Sequence, residues 1–314
     1  MTEETLTMDI TYAITTSSGF AQDGICFAAR SSGLYRSDDG GRTWQFAYKS
    51  LESSAPLVTM AVVLSPDFVS DGNVFASVPG GILRSFDGGQ NWDAVHLPSP
   101  PPVVVAFAIS PNYVQDGILL AGTMEDGVFS TTDRGGHWAA WNFGLLDLNA
   151  LCVDISADYV RDETLFLGVG SGIFRSTNGG RAWREVGFSV DLAPVLSIAL
   201  SPRYSEDGIL FVGTEADGLF RSDDRGRTWT RIGSNIIVDA VNDILLSPDF
   251  PERPDVLVVQ PDGLHISRDG GLSWAQWTVD VAPENGLTCV AAPLGLDASA
   301  PLLIGLMDGG VLRI

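Results

Sequence analysis

The sequence predicts an all-β protein, a seven-bladed β-propeller built from four-stranded antiparallel blades. Three observations carry this: a turn signature repeated along the chain, strand-like runs inside each unit, and two chain ends that together make one more unit. The six copies are Ser37-Asp38-Asp39-Gly40-Gly41-Arg42-Thr43-Trp44, SFDGGQNW ending at Trp92, TTDRGGHW at Trp138, STNGGRAW at Trp183, SDDRGRTW at Trp229 and SRDGGLSW at Trp274. Their tryptophans are spaced by 48, 46, 45, 46 and 45 residues. A fixed period with turn residues at fixed offsets means that each unit is one supersecondary module.

Four runs rich in β-branched and aromatic residues, separated by turn signals, recur in each unit. In the second they are Thr59–Leu64, Asn73–Val78, Ile82–Ser85 and Trp92–Leu97. The first two are joined by SPDFVSDG, which returns as SPNYVQDG, SADYVRDE and SPRYSEDG. After Trp274 the chain supplies LTCVAAP, LLIGLM and GGVLRI, three strands of a seventh unit. Residues 2 to 8 fall where its fourth strand belongs. Pairing Thr2–Met8 with Val311–Ile314 is therefore expected to close the ring and remove its open sheet edges.

The repeat leaves no room for a second domain, so residues 1–314 are read as one. A net charge of −21 repels phosphates, which argues against a nucleic-acid or anionic-membrane surface and suits solubility or a cationic partner. Cys26, Cys152 and Cys289 lie far apart in apolar strand patterns and read as buried free thiols. The N-terminal MTEETLTMDI has no leader-like pattern, and no apolar run approaches the ~18 residues of a membrane span. The chain as given reads as cytoplasmic, or as extracellular if a leader has been trimmed from it.

The SxDxGxxW signature resembles the Asp-box of the sialidase-type, BNR-repeat propellers. That group includes sortilin-type receptors, some glycoside hydrolases and the photosystem II stability and assembly factor family. The resemblance covers essentially the whole chain and implies the propeller fold; it does not fix a function, because this fold hosts unrelated activities. Each box is expected to be the hairpin between the third and fourth strands. In it a hydroxyl (Ser37, Ser85, Thr131, Ser176, Ser222, Ser267) and a carboxylate (Asp39, Asp87, Asp133, Asp224, Asp269, with Asn178 in the fourth copy) accept backbone N–H bonds. A glycine (Gly41, Gly89, Gly135, Gly180, Gly226, Gly271) supplies positive φ. The tryptophan (Trp44, Trp92, Trp138, Trp183, Trp229, Trp274) buries its ring between sheets and directs its indole N–H at a carbonyl.

Ligands of such propellers are expected on the face opposite the boxes, where the loops between strands two and three are very short. Glu125, Asp126, Glu215, Asp217, Asp262 and Asp308 form a ring of carboxylates there, although Asp-Gly is also a favoured hairpin turn. Arg30 is the arginine in these loops. A sialidase needs three arginines, a Tyr–Glu pair and an Asp acid. Here Arg36, Arg84, Arg175, Arg221 and Arg313 share one repeat position just before the box, and Tyr113, Tyr159 and Tyr204 share another, with Phe68 and Phe250 in their place elsewhere. Scaffold roles follow from such repetition. His96, His137 and His265 sit at non-equivalent positions, which supports neither a catalytic triad nor a metal site. No cofactor is implied.

Two features break the repeat. Trp141 and Trp277 replace Val95, Val186 and Ile232 and read as packing. Phe143, Leu145, Leu146 and Phe188 are expected to form an exposed apolar patch between blades three and five, the mark of a protein contact. The reading is a non-catalytic interaction or assembly scaffold that binds another protein through one loop face. The alternative is a carbohydrate-active propeller, a lectin or glycosidase binding a glycan.

Overall fold

Each unit folds as an antiparallel meander, because its four apolar runs are separated by turns too short for any other connection. The computed structural model describes residues 9–51, 55–98, 100–188, 194–278 and 286–314. Blade one comprises Thr11–Thr16, Cys26–Arg30, Gly33–Ser37 and Gln45–Phe46, and five further four-stranded sheets repeat this order. The seventh sheet holds Leu287–Ala291, Leu303–Leu306 and Val311–Arg313. Its expected fourth strand, residues 2 to 8, lies outside the described residues.

First strands of successive blades lie against one another and surround the central channel. Second strands are covered on both faces by the neighbouring blades, so Leu165–Val169 and Val256–Gln260 are buried at every residue. That explains why they read as continuous apolar runs rather than as alternating ones. Blade seven meets blade one directly: the Thr288 hydroxyl donates to the Thr11 carbonyl at 2.6 Å, the Thr11 hydroxyl to Gly310 O at 3.1 Å, and Arg313 Nε to Gly40 O at 3.0 Å.

The SPxFxxDG segments are more structured than plain turns. In blade two, Phe68–Asp71 forms one helical turn, ended by Gly72 at φ 62°. The Ser65 hydroxyl donates to Asp71 Oδ2 at 2.6 Å, and Asp71 Oδ1 accepts the Asn73 N–H at 2.9 Å. The aromatic residue of this turn is driven into the junction with the preceding blade, where Phe27–Phe68, Phe75–Tyr113, Phe166–Tyr204 and Phe211–Phe250 pack edge to face. Strand ends are shorter than the sequence suggests. In blade two the first strand is Val62–Leu64, because the N–H groups of Met60 and Ala61 turn to the Ser77 hydroxyl instead of the ladder. Its fourth strand is Asp93–Val95, because Trp92 turns into the junction and donates to Ala47 O at 3.0 Å.

Candidate functional site

The Asp-boxes hold turns together. In blade one the Ser37 hydroxyl donates to Asp39 Oδ1 at 2.8 Å and accepts the Gly41 N–H at 2.9 Å. Asp39 accepts the Thr43 N–H at 2.9 Å and the Thr43 hydroxyl at 2.7 Å. The same bonds recur around Asp87, Asp133, Asp224 and Asp269, and Asn178 Oδ1 takes the Ser176 hydroxyl and the Ala182 N–H, each at 2.9 Å. The six box glycines have φ between 79° and 95°, and a Cβ on Gly41 would stand 2.6 Å from the Leu303 side chain. Hydrogen bonds from Thr228 and Ser273 hold Asp224 and Asp269 down at about 2, and those from Thr43 and His137 hold Asp39 and Asp133 well below the usual carboxylate range. Carboxylates so committed have no proton to donate near neutral pH.

Box tryptophans enter the junction with the preceding blade. Trp92, Trp138 and Trp183 are buried, whereas Trp44, Trp229 and Trp274 are half-buried. Trp183 donates to Trp141 O at 2.8 Å and Trp274 to Gly271 O at 3.1 Å, but the indole N–H groups of Trp44, Trp138 and Trp229 find no acceptor among the described residues. The arginine before the box is a junction clasp. Arg175, Arg221 and Arg313 each donate to the carbonyl of the fourth box residue in the next blade, Arg225, Gly270 and Gly40.

The loop-face candidates divide. Glu125, Asp126, Glu215, Asp262 and Asp308 are exposed and Asp217 is half-exposed. Asp308 Oδ1 also caps its own turn, accepting the Gly310 N–H at 2.8 Å. Arg30 is stacked on rings, its guanidinium 4.3 Å from the Tyr35 ring centre and 5.7 Å from that of Trp44, while Asp9 and Asp308 act on its charge. Burial lowers the Arg30 pKa. The three cysteines are free; burial pushes Cys26 and Cys289 up to about 12 and Cys152 higher still, so none is a thiolate at neutral pH. Among the described residues no group of three or more His, Cys, Asp or Glu is placed to hold a metal ion.

The apolar patch expected from four residues is made by two of them. Phe143 is 80% exposed and Leu146 is 84% exposed. Leu145 packs on the core of blades three and four, a correction to the expectation of exposure. Phe188 is likewise corrected: its ring stands edge-on to Phe220 and Trp229, with centres 4.9 and 5.3 Å away, filling the junction of blades four and five. The sequence could not show this, because residue 188 follows the last strand of its blade and only the next blade supplies its contacts.

Phe143 nevertheless belongs to a cavity. A groove of about 600 Å³ between blades four and five is lined by Phe143, Trp183, Arg175, Arg184, Arg225 and Arg227, with Glu185 as its carboxylate. None of these four arginines is in an ion pair among the described residues. Arg175 and Arg225 are braced on neutral carbonyls, Arg225 O and Ser205 O, at 3.2 and 2.8 Å. Repetition accounts for Arg175 most fully, since its column is arginine in four other blades. Arg184 corresponds to Gln45, Asp93, Ala139, Thr230 and Ala275, and Arg227 to Arg42, Gln90, Gly136, Arg181 and Leu272. Arg225 and Arg134 both occupy a position that is glycine in the other boxes, at φ 65° and 58°. Only the fourth and fifth units bring arginine to all four positions of one junction. Column-by-column comparison of the boxes carried that signal, but which columns meet across a junction is a tertiary fact.

Two stretches match family models for BNR/Asp-box repeats, residues 35–46 and 219–232. The chain is a propeller that carries BNR/Asp-box repeats. No curated protein matches its sequence. Similar solved structures include the extracellular domain of the putative hybrid two component system BT4673 from B. thetaiotaomicron, at 13% identity and TM-score 0.72, covering 98% of this chain and 38% of that one. The Niastella koreensis GH74 enzyme has 17% identity and TM-score 0.75 over 98% of this chain and 52% of that one. YCF48 bound to D1 peptide has 19% identity and TM-score 0.72 over 98% and 93%. At such identities the likeness is one of fold. The propeller spans well under half of the first of these and about half of the second. No helix among the described residues is long and apolar enough to cross a membrane.

Proposed function

We propose that this propeller is a non-catalytic scaffold that binds an acidic segment of a protein partner in the groove between blades four and five. The observation that carries the reading is the meeting of four unpaired arginines and the exposed Phe143 ring in one cavity of a protein whose net charge is −21. Guanidinium groups recognise carboxylates through paired, charge-assisted bonds, and a neighbouring aromatic ring adds an anchor that simple charge attraction lacks. One structural neighbour matched over 93% of its own length is YCF48 bound to D1 peptide, which supports peptide binding as a use of this fold. A lectin would favour aromatic platforms repeated on the loop face. The exposed aromatic rings among the described residues are Phe86 and Phe143, and neither is repeated.

The test is a labelled acidic peptide with one aromatic residue, titrated with the wild-type protein and with Arg184→Glu/Arg227→Glu. Both side chains are exposed, so the variant should melt like the wild type. A loss of binding of about tenfold or more supports the groove; equal binding by the two proteins removes it. Phe143→Ser, at an 80% exposed ring, should weaken the same titration without lowering the melting temperature.

A further inference from the structure

The loop-face mouth of the central channel is a cavity of about 400 Å³ lined by Tyr12, Leu196, Asn242, Leu287, Thr288 and Met307. A repeated backbone device builds it. The pairing of first and second strands slips between Thr11 and Ala13, between Val195 and Ser197, and between Leu287 and Cys289. The residue skipped in each case is Tyr12, Leu196 or Thr288, and all three line the cavity. A bulge leaves its extra residue out of the ladder and re-aims its side chain. The fold thus presents the same position from several blades, with a different side chain from each.

The walls offer mostly apolar surface. The Asn242 Nδ2 group is engaged with Leu287 O at 2.8 Å and the Thr288 hydroxyl with Thr11 O at 2.6 Å, leaving methyl, thioether and ring surface. The volume lies within the range of about 300–1,000 Å³ typical of ligand pockets. Charge around the mouth is predominantly negative. Asp308 follows Met307 and Asp262 follows Pro261, both of which line the cavity, and Glu125, Asp126, Glu215 and Asp217 stand on neighbouring turns of the same face. Every ion pair among the described residues lies on the Asp-box side, in the turns between strands one and two or at the boxes. Two guanidinium groups reach this face without an ion pair: Arg30 stacks on Tyr35 and Trp44 and feels the charge of Asp308, and Arg231 stands beside the Gly218 turn, so the carboxylates stay in excess.

We propose that this mouth is a second binding site, for a basic protein segment that inserts one large apolar side chain into the channel while its cationic residues face the Asp262 and Asp308 rim. Charge complementarity decides the occupant: an apolar cavity inside a rim where carboxylates outnumber guanidinium groups steers cations and disfavours acidic chains. The site is independent of the arginine groove and selects the opposite charge.

The probe is a blocked, fluorescein-labelled Lys-Arg-Trp-Arg-Lys peptide, followed by anisotropy at low salt against versions with the Trp changed to Ala and with every basic residue changed to Glu. The Trp-bearing basic peptide should bind about tenfold or more tighter than the Ala version, and the acidic version should not bind. Met307→Lys and Asp262→Asn/Asp308→Asn, all at exposed positions, should each weaken it by about tenfold, while Arg184→Glu/Arg227→Glu, which only adds negative charge, should not weaken it. Equal affinity for the Trp and Ala peptides would mean attraction to an acidic surface alone and overturns the proposal. Unweakened binding by Met307→Lys and by the Asp262/Asp308 variant, each with a native melt, places the peptide elsewhere and also overturns it.

Discussion

Ser85 shows how much one small side chain carries in this fold. It is buried, donates to Asp87 at 2.8 Å and accepts the buried Gly89 N–H at 2.9 Å. Ser85→Ala strands that N–H inside the turn, and a loss of about 1–3 kcal/mol is expected in urea unfolding; an unchanged midpoint would mean that the turn finds another acceptor. The tryptophans should rank by burial and bonding. Trp183 is 2% exposed and bonded to Trp141 O, so Trp183→Ala should lie at the upper end of the roughly 3–5 kcal/mol typical of large-to-small core changes, and half-buried, unbonded Trp229 at the lower end. Reversal of that order would show that cavity collapse, not burial, sets the cost.

Among the elements, the first strands clasp one another unevenly. Ser197 Oγ donates to Val241 O at 2.9 Å, whereas blades one to three carry Ala13, Ala61 and Ala106 at the matching position. Asp154 Oδ2 accepts the Leu200 N–H of the next blade at 2.8 Å, and Asp243 Oδ2 the Val290 N–H at 2.9 Å. Desolvation within the ring raises both carboxyls to about 6, despite those bonds. A raised carboxyl stabilises the fold fully below its unfolded pKa, near 4, and loses that contribution as pH rises through about 6. The box aspartates act in the opposite sense: their contribution is present above about 4 and lost as pH falls through about 2. The melting temperature is therefore expected to peak in mildly acidic solution, higher at pH ~5 than at pH ~7.5. In Asp154→Asn/Asp243→Asn the slope between those two values should shrink; a slope as steep as the wild type's would assign it to other groups.

Charge is divided over the whole molecule as it is not along the chain. Among the described residues the Asp-box side holds the ion pairs and most arginines, and the loop-face carboxylates form none. With a net charge of −21, self-repulsion opposes the compact state, and salt screens it over about 8–10 Å at physiological strength. Raising salt from about 10 mM to about 0.3 M should raise the melting temperature while weakening both proposed contacts, which depend on charge. A melting temperature that falls with salt would show that the box-side ion pairs outweigh the repulsion.

Blade number, strand order, the box turns and their glycines were legible in the sequence, because a hairpin of a few residues is governed by local sterics and by side chains that bond their own backbone. The repeat made each of these readable six times over. Contacts between blades were not legible: Leu145 and Phe188 lost their expected exposure to neighbours supplied by adjoining blades. The sequence showed Arg175, Arg184, Arg225 and Arg227 only as members of separate columns. Tertiary structure alone decided that they meet around Phe143, and that three bulges turn Tyr12, Leu196 and Thr288 to one mouth, because both arrangements depend on how sheets with their own right-handed twist stack around a common axis.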